Sequence, residues 1–325
     1  MKKIIFFDPS IATLNIGDEI IMHSIKRNMQ DITDDNYCMS MPMHTPTFYI
    51  YQNLLCKKLK TFAEADYKFL CGTNMLYTNM LRPLPIWNVN IFNTRIQRDS
   101  ILLGVGCGIN SNKLTKYTKW LYSRTLSKKY YHSTRDEVTK NLLESIGLKA
   151  KNTGCPTLWQ LTPEHCSNIP VSKAKKVIFT LTHYKNLQNS VLDRAMIDIL
   201  KDNYEQLFFW PQSINDLDYL YQLGISDSVT IIPPNLKSYE RILKTDIDYI
   251  GTRLHGGIFA LQQKKRALII AIDYRAREMN KTFSIPCIER EDIERRLHNI
   301  INSTIHINIT GIDYDKISFW KSQFK

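Results

Sequence analysis

The chain is 325 residues long, 43% apolar and 23% charged, with a formal net charge of +12. That length exceeds what one core usually serves, so two α/β domains are expected, about 1–170 and 171–325. No run of eighteen apolar residues exists, and MKKIIFFDPS is too short for a secretory apolar core. Both observations argue against a spanning helix or signal peptide and for a cytoplasmic protein.

The positive charge asks for an acidic partner: phosphates, carboxylates or the inner face of an anionic membrane. The basic residues come in short groups, such as Lys57-Lys58, Lys128-Lys129 and Lys264 to Arg266, each of which reads as solvated surface. No long basic tract points to nucleic acid. Seven cysteines without C-x-x-C spacing read as reduced thiols. The histidines lack metal-ligand spacing with carboxylates, so neither metal nor cofactor is expected.

In chain order, residues 4–8 form an apolar run suited to a buried strand. Asn15-Ile16-Gly17-Asp18 then opens a helical pattern carrying Ile20, Ile21, Ile25 and Met29. Gly17 permits a close turn, while Asp18 either caps the helix or places charge at its positive end. A strand at 67–71 runs into Gly72-Thr73-Asn74, and one at 101–105 into Gly106-Cys107-Gly108. The G-x-G-x-G at 104–108 is not the dinucleotide fingerprint and has no suitable downstream acid, which excludes a nicotinamide cofactor. Its glycines let the backbone approach a ligand or a neighbouring strand.

A basic, aromatic helix is expected over 116–129. Ser133 or Thr134 can cap the next helix, whose apolar positions include Val138, Leu142, Leu143 and Ile146. Arg135 then falls at a helix start, where an anion is favoured, and so points to an anionic ligand. Residues 163–176, polar and carrying two prolines, read as a linker. Strands follow at 177–182, 207–210 and 229–232, with helices at 190–202, 214–223 and 237–243; an amphipathic helix and a Trp320-containing helix close the chain.

Between 248 and 271 lies the most informative stretch, DYIGTRLHGGIFALQQKKRALIIA. It reads as strand, tight turn, helix and strand, the unit of a parallel sheet. Ligands of such sheets bind at the carboxyl ends of the strands, beside free helix N–H groups, and Arg253 and His255 fall there. A structural reading stands beside this one, with Arg253 paired to a carboxylate and His255 capping the turn.

These residues together resemble the polysaccharide pyruvyl transferase family over nearly the whole chain. The resemblance is carried by Asn15-x-Gly17-Asp18, Gly72, Gly104-Val105-Gly106, Ser133 to Glu137 and, above all, Gly251-Thr252-Arg253-Leu254-His255. It implies two Rossmann-like domains facing a cleft, as in GT-B-type transferases, with a C-terminal helix that can return to the first domain. It also implies transfer of pyruvate from phosphoenolpyruvate onto two hydroxyls of a sugar, forming a ketal on a surface polysaccharide or a lipid-linked glycan precursor. Arg135, Arg253 and Leu254 would then hold phosphoenolpyruvate, with His255 as the catalytic acid. Arg275 would stand for a lysine found near that strand end in some members. Asn15, Gly17, Asp18, Gly72 and Gly106 would line the acceptor side or cleft. Gly154-Cys155-Pro156 departs from the proline-aspartate turn of many members. The other readings left open are a GT-B-type glycosyltransferase using a nucleotide-sugar and a non-catalytic anion- or glycan-binding protein.

Overall fold

Short segments of two to six residues, most of them apolar, become the parallel strands of two sheets in the computed structural model, which describes residues 1–81, 86–111 and 113–325. The chain divides into two compact units. The first comprises residues 1–13, 21–159 and 313–325; the second comprises 14–20 and 160–312. The division thus falls at Trp159, ahead of the expected linker. Within 163–176 a short helix forms instead, Pro163–Ser167, with Thr162 capping it (its hydroxyl accepts from the His165 amide at 3.1 Å) and Cys166, Ile169 and Ala174 buried. Proline at the first helical position after threonine is the local cause.

The first unit contains β1 (Lys3–Asp8), β2 (Tyr37–Pro42), β3 (Tyr67–Cys71), β4 (Leu76–Tyr77), β5 (Ile101–Leu103), β6 (Cys107–Gly108), β7 (His132–Thr134) and β8 (Ala150–Asn152). Its main sheet has the order β2-β1-β3-β5, all parallel, while β4 pairs with β6 and β7 with β8. The second unit contains β9 (Lys176–Thr180), β10 (Gln206–Phe209), β11 (Thr230–Ile231), β12 (Asp248–Gly251), β13 (Ala267–Ala271) and β14 (Cys287–Glu289). Its six parallel strands run in the order β11-β10-β9-β12-β13-β14. The chain winds outward from β9 in one direction and then from β12 in the other, the doubly wound Rossmann order. The switch point lies between β9 and β12.

Burial separates arginines that build the second unit from those on its surface. Arg266 is 2% exposed, not solvated as its basic neighbours suggest. It pairs with Asp248 at 2.7 Å and donates to the carbonyls of Ile300, Ile301 and Ser303. Arg290 lies 3.3 Å from the buried Asp193. The Trp320 helix (Tyr314–Ser322) belongs to the first unit, where the Trp320 indole donates to the Tyr131 carbonyl at 2.7 Å and Phe324 stacks edge-on to Phe69. Among the described residues no helix is long and apolar enough to cross a membrane.

The joint between β5 and β7 is made largely by side chains. The Leu102 amide donates to His132 Nδ1 at 3.1 Å, and the Gly104 amide to Ser133 Oγ at 2.8 Å. Since Nδ1 accepts, the ring proton sits on Nε2, which donates to the Ser127 carbonyl at 2.9 Å. Burial pushes this imidazole down to about 4, against the raising effect of the Ser127 bond. Between about pH 6.5 and 4 the unfolded chain therefore takes up a proton that the folded one refuses. His132 contributes full stability above that window and loses roughly 3 kcal/mol of it as pH falls through it. The His132 ring signals in an NMR titration should stay those of a neutral imidazole down to pH 5; a midpoint near 6.5 would contradict this joint.

Candidate functional site

At the switch point of the second unit, β9 and β12 approach so closely that a Cβ on Gly251 would lie 2.4 Å from Thr180 Oγ1 and 2.6 Å from its amide nitrogen. Only glycine fits there. Beyond it the backbone of Thr252 and Arg253 is pinned: the Arg253 amide donates to Thr180 Oγ1 at 3.1 Å, and the Tyr249 hydroxyl donates to the Arg253 carbonyl at 2.7 Å. Arg253 precedes the helix Leu254–Gln262, so Leu254 and His255, both half-buried, occupy its first two positions. A Cβ on Gly257 would come within 2.5 Å of Ile269, which explains how this helix start is drawn down onto the sheet.

The Arg253 side chain is 5% exposed and is not free in solvent. Its Nε donates to Asp216 Oδ2 at 2.9 Å and to the Leu181 carbonyl at 3.2 Å, and its Nη2 donates to Asp216 Oδ1. The guanidinium carbon stands 4.9 Å from the centre of the Tyr184 ring, a cation–π contact. Burial works against this charge, but Asp216 outweighs it and the pKa is raised. The structural reading of Arg253 as partner of a carboxylate is therefore met. The pair nevertheless stands at the carboxyl ends of β9 and β12, where ligands of such sheets bind.

Asp216 sits there because Ser213-Ile214-Asn215-Asp216 is a capping box: the Ser213 side chain accepts from the Asp216 amide while the Asp216 carboxylate accepts from the Ser213 amide. The same carboxylate accepts from the amides of Gln212 and His183, each at 3.1 Å, and lies 2.9 Å from His183 Nδ1. Three strand ends are thereby tied together: β9 through His183, β10 through Gln212 and Asp216, and β12 through Arg253. His183, Tyr184, Gln212 and Asp216 were not singled out as site residues by sequence. Each follows a strand, which is the available signal, but only the strand order shows that those strands are neighbours.

Asn15 and Gly17 join this same cluster. The Gln212 amide group donates to Asn15 Oδ1 at 2.9 Å, the Ile16 amide donates to the Gln212 carbonyl at 2.8 Å, and a Cβ on Gly17 would lie 2.7 Å from Gln212 Nε2. Asn15 Oδ1 also accepts from the Gly17 amide at 3.1 Å at the head of the helix Ile16–Asn28. Asp18 is the third residue of that helix, 7% exposed, an acid in the first turn. Arg275, after the adjacent strand β13, is the second residue of the helix Tyr274–Phe283. It is half-exposed and holds Asp273 through Nε at 2.9 Å and Nη2 at 2.6 Å. Burial would raise the Asp273 carboxyl, but Arg275 and the helix amides bring it below its ordinary range.

The first unit gathers the remaining residues. Arg135 follows β7 and precedes the helix Glu137–Glu144, which is capped by Asp136 and not by Ser133 or Thr134; those two lie inside the strand. Arg135 thus stands outside the helix, with its amide donating to the Val105 carbonyl at 3.0 Å and its Nε 3.8 Å from Asp136. A Cβ on Gly106 would come within 2.4 Å of Arg135 Nε and 2.2 Å of Asn74 Oδ1, so glycine lets the three meet. Gly72 (φ +52°) turns the chain after β3 where a Cβ would strike Ile21. Burial, with Asp136 adding to it, pushes the adjacent Cys107 thiol up to about 12, so it supplies no thiolate at neutral pH. Among the described residues no group of three His, Cys, Asp or Glu side chains could hold a metal.

The family model for polysaccharide pyruvyl transferase matches residues 15–274. Among solved structures the chain is similar to Alr3699/HepE of Anabaena, crystallised with UDP and glucose, at 12% identity and a TM-score of 0.51, covering 100% of this chain and 94% of that one. It is also similar to the UDP-GlcNAc 2-epimerase of Methanocaldococcus jannaschii, crystallised with UDP-GlcNAc and UDP, at 12% identity and a TM-score of 0.49, covering 99% of each chain. No curated protein matches the chain. The likeness to the Anabaena protein concerns the fold, which is α/β with two Rossmann-like units of the GT-B kind and a C-terminal helix.

Replacing Asp216 with asparagine leaves the Arg253 guanidinium buried without its counter-charge. Breaking a buried pair on one side costs ~3–5 kcal/mol, so urea denaturation of Asp216→Asn should show a loss of that order. An unchanged midpoint would mean that the pair holds nothing together.

Proposed function

Because the chain belongs to the polysaccharide pyruvyl transferase family and is a transferase, we propose that it moves pyruvate from phosphoenolpyruvate onto two hydroxyls of one sugar in a surface polysaccharide or its precursor. The observation that carries this reading is the locked Arg253 at the switch point of the second sheet, with His255 two residues on in the first turn of the same helix. Phosphoenolpyruvate bears a carboxylate and a phosphate close together. A guanidinium in fixed orientation beside helix N–H groups suits such a dianion. Arg275, half-exposed one strand away, is a second cation at the same sheet edge.

In the proposed reaction His255 gives a proton to the methylene carbon as an acceptor hydroxyl bonds to C2. The C2–O bond to phosphate then breaks, and the second hydroxyl closes the ring. One hydroxyl proton replaces the one given by the imidazole, and the other leaves with inorganic phosphate. Cations fixed before the reaction need no reorganisation as charge develops on the departing phosphate, which is where most of the rate would arise.

A nucleotide-sugar donor is the second reading, favoured by the likeness to a protein crystallised with UDP and glucose. The two readings release different products. Protein incubated with phosphoenolpyruvate and a panel of sugars bearing paired hydroxyls should release inorganic phosphate, and His255→Gln should lower that turnover ~10²–10⁴-fold while keeping donor binding. Release of nucleotide from UDP-sugars with no phosphate from phosphoenolpyruvate, or full turnover in His255→Gln, would sink the proposal.

A further inference from the structure

The chain's charge is concentrated in one segment. Residues 36–135 contain fourteen lysines and arginines but only three carboxylates, Glu64, Asp66 and Asp99, and so hold +11 of the net +12. Its described residues all belong to the first unit. It also carries exposed apolar side chains that no core uses: Tyr49 (70% exposed), Ile50 (54%), Tyr51 (61%) and Leu55 (79%) on and beside the helix Ile50–Leu55, and Ile91 and Phe92 in the neighbouring loop.

These pieces form one surface. Arg95 Nη1 donates to the Asn53 carbonyl at 3.3 Å, tying the helix Ile50–Leu55 to the segment that bears Ile91 and Phe92. The Asn53 side-chain amide donates to the carbonyls of Phe48 and Tyr49, and the Tyr49 and Tyr51 rings stack with centroids 5.8 Å apart. The apolar tip is therefore held in shape. The short helix Thr94–Gln97 packs on both Lys60–Ala63 and Lys116–Thr125, and the latter adds an exposed Trp120 among exposed Lys116, Lys119 and Arg124. From residue 36 to 63 and from 67 to 98 there is no carboxylate.

We propose that this face of the first unit docks on an anionic bilayer, with Tyr49, Ile50, Tyr51, Leu55, Ile91 and Phe92 entering the headgroup layer and the surrounding lysines and arginines facing lipid phosphates. The two features call for the same occupant. Aromatic and aliphatic side chains ringed by cations match an interface that is apolar below and negatively charged above. A soluble polyanion would satisfy the charge and leave the aliphatic side chains in water. The inference rests on exposure and charge, not on the identity of the donor, and its failure would leave the transfer reaction untouched.

The full chain should co-sediment with vesicles of equal parts phosphatidylglycerol and phosphatidylcholine and remain in solution with phosphatidylcholine alone. Lys57→Gln/Lys58→Gln should lose about fivefold in partitioning for each charge removed. Ile50→Ser/Tyr51→Ser/Leu55→Ser should lose roughly tenfold or more. Those three side chains are exposed, so the melting temperature should hold; if it falls, Leu55→Ser alone repeats the test at the most exposed position. No preference for anionic vesicles in the wild type would overturn the proposal. So would undiminished vesicle binding by the apolar variant in its folded state, which would mean that the surface reads charge only and takes a soluble polyanion.

Discussion

The edge of the second sheet where β9, β10 and β12 end depends on one carboxylate. Asp216 accepts from the backbone amides of three residues and from two nitrogens of Arg253. A carboxylate so surrounded has little freedom to move, and neither have the three loops whose ends it holds. The consequence for chemistry is that the guanidinium is aimed before any ligand arrives. The cost is that its Nε–Nη2 edge, the edge best shaped to clasp a carboxylate, is already taken. An anion at this strand end would meet the amides at the start of the helix Leu254–Gln262 and the part of the guanidinium that Asp216 leaves open.

The first unit solves a comparable positioning problem by other means. There the strand that delivers Arg135 is joined to its neighbour by a buried neutral imidazole and a serine hydroxyl, and glycine at 106 makes room for the arginine against Asn74. In both units a cation stands just past a strand end, beside a glycine that a larger residue could not replace. Only in the second unit is the pattern local in sequence, strand, Gly251, then Arg253; in the first, Gly106 follows β5 while Arg135 follows β7.

That locality explains what could be read from the sequence. The strands at 67–71 and 101–103, the helices near 190 and 214, and the Gly251-Thr252-Arg253-Leu254-His255 turn all announce themselves through apolar runs ended by glycine, or through caps. The fold class, GT-B-like α/β with a C-terminal helix, followed from their alternation and from the family resemblance. Long-range pairing is not local, and so Asp216 as the partner of Arg253, His183 beside these two, and Gln212 as the partner of Asn15 are set by the strand order and not by any local signal. The polarity of 163–176 misled because a threonine-proline helix start is itself polar. Arg266 misled because its neighbours are lysines, whereas its own side chain meets Asp248 inside the unit.

Arg253, as locked by Asp216, is the proposed anchor of the anionic donor. Calorimetric titration of phosphoenolpyruvate into the wild type and into Arg253→Lys tests it most directly. Lysine keeps the charge but cannot hold two oxygens of Asp216 while facing a ligand. One molecule should bind per wild-type chain, and binding to Arg253→Lys should be at least about tenfold weaker, the loss of one charge-assisted contact. Equal affinity in the two proteins, both folded by circular dichroism, would contradict the claim and leave Arg253 a structural partner of Asp216.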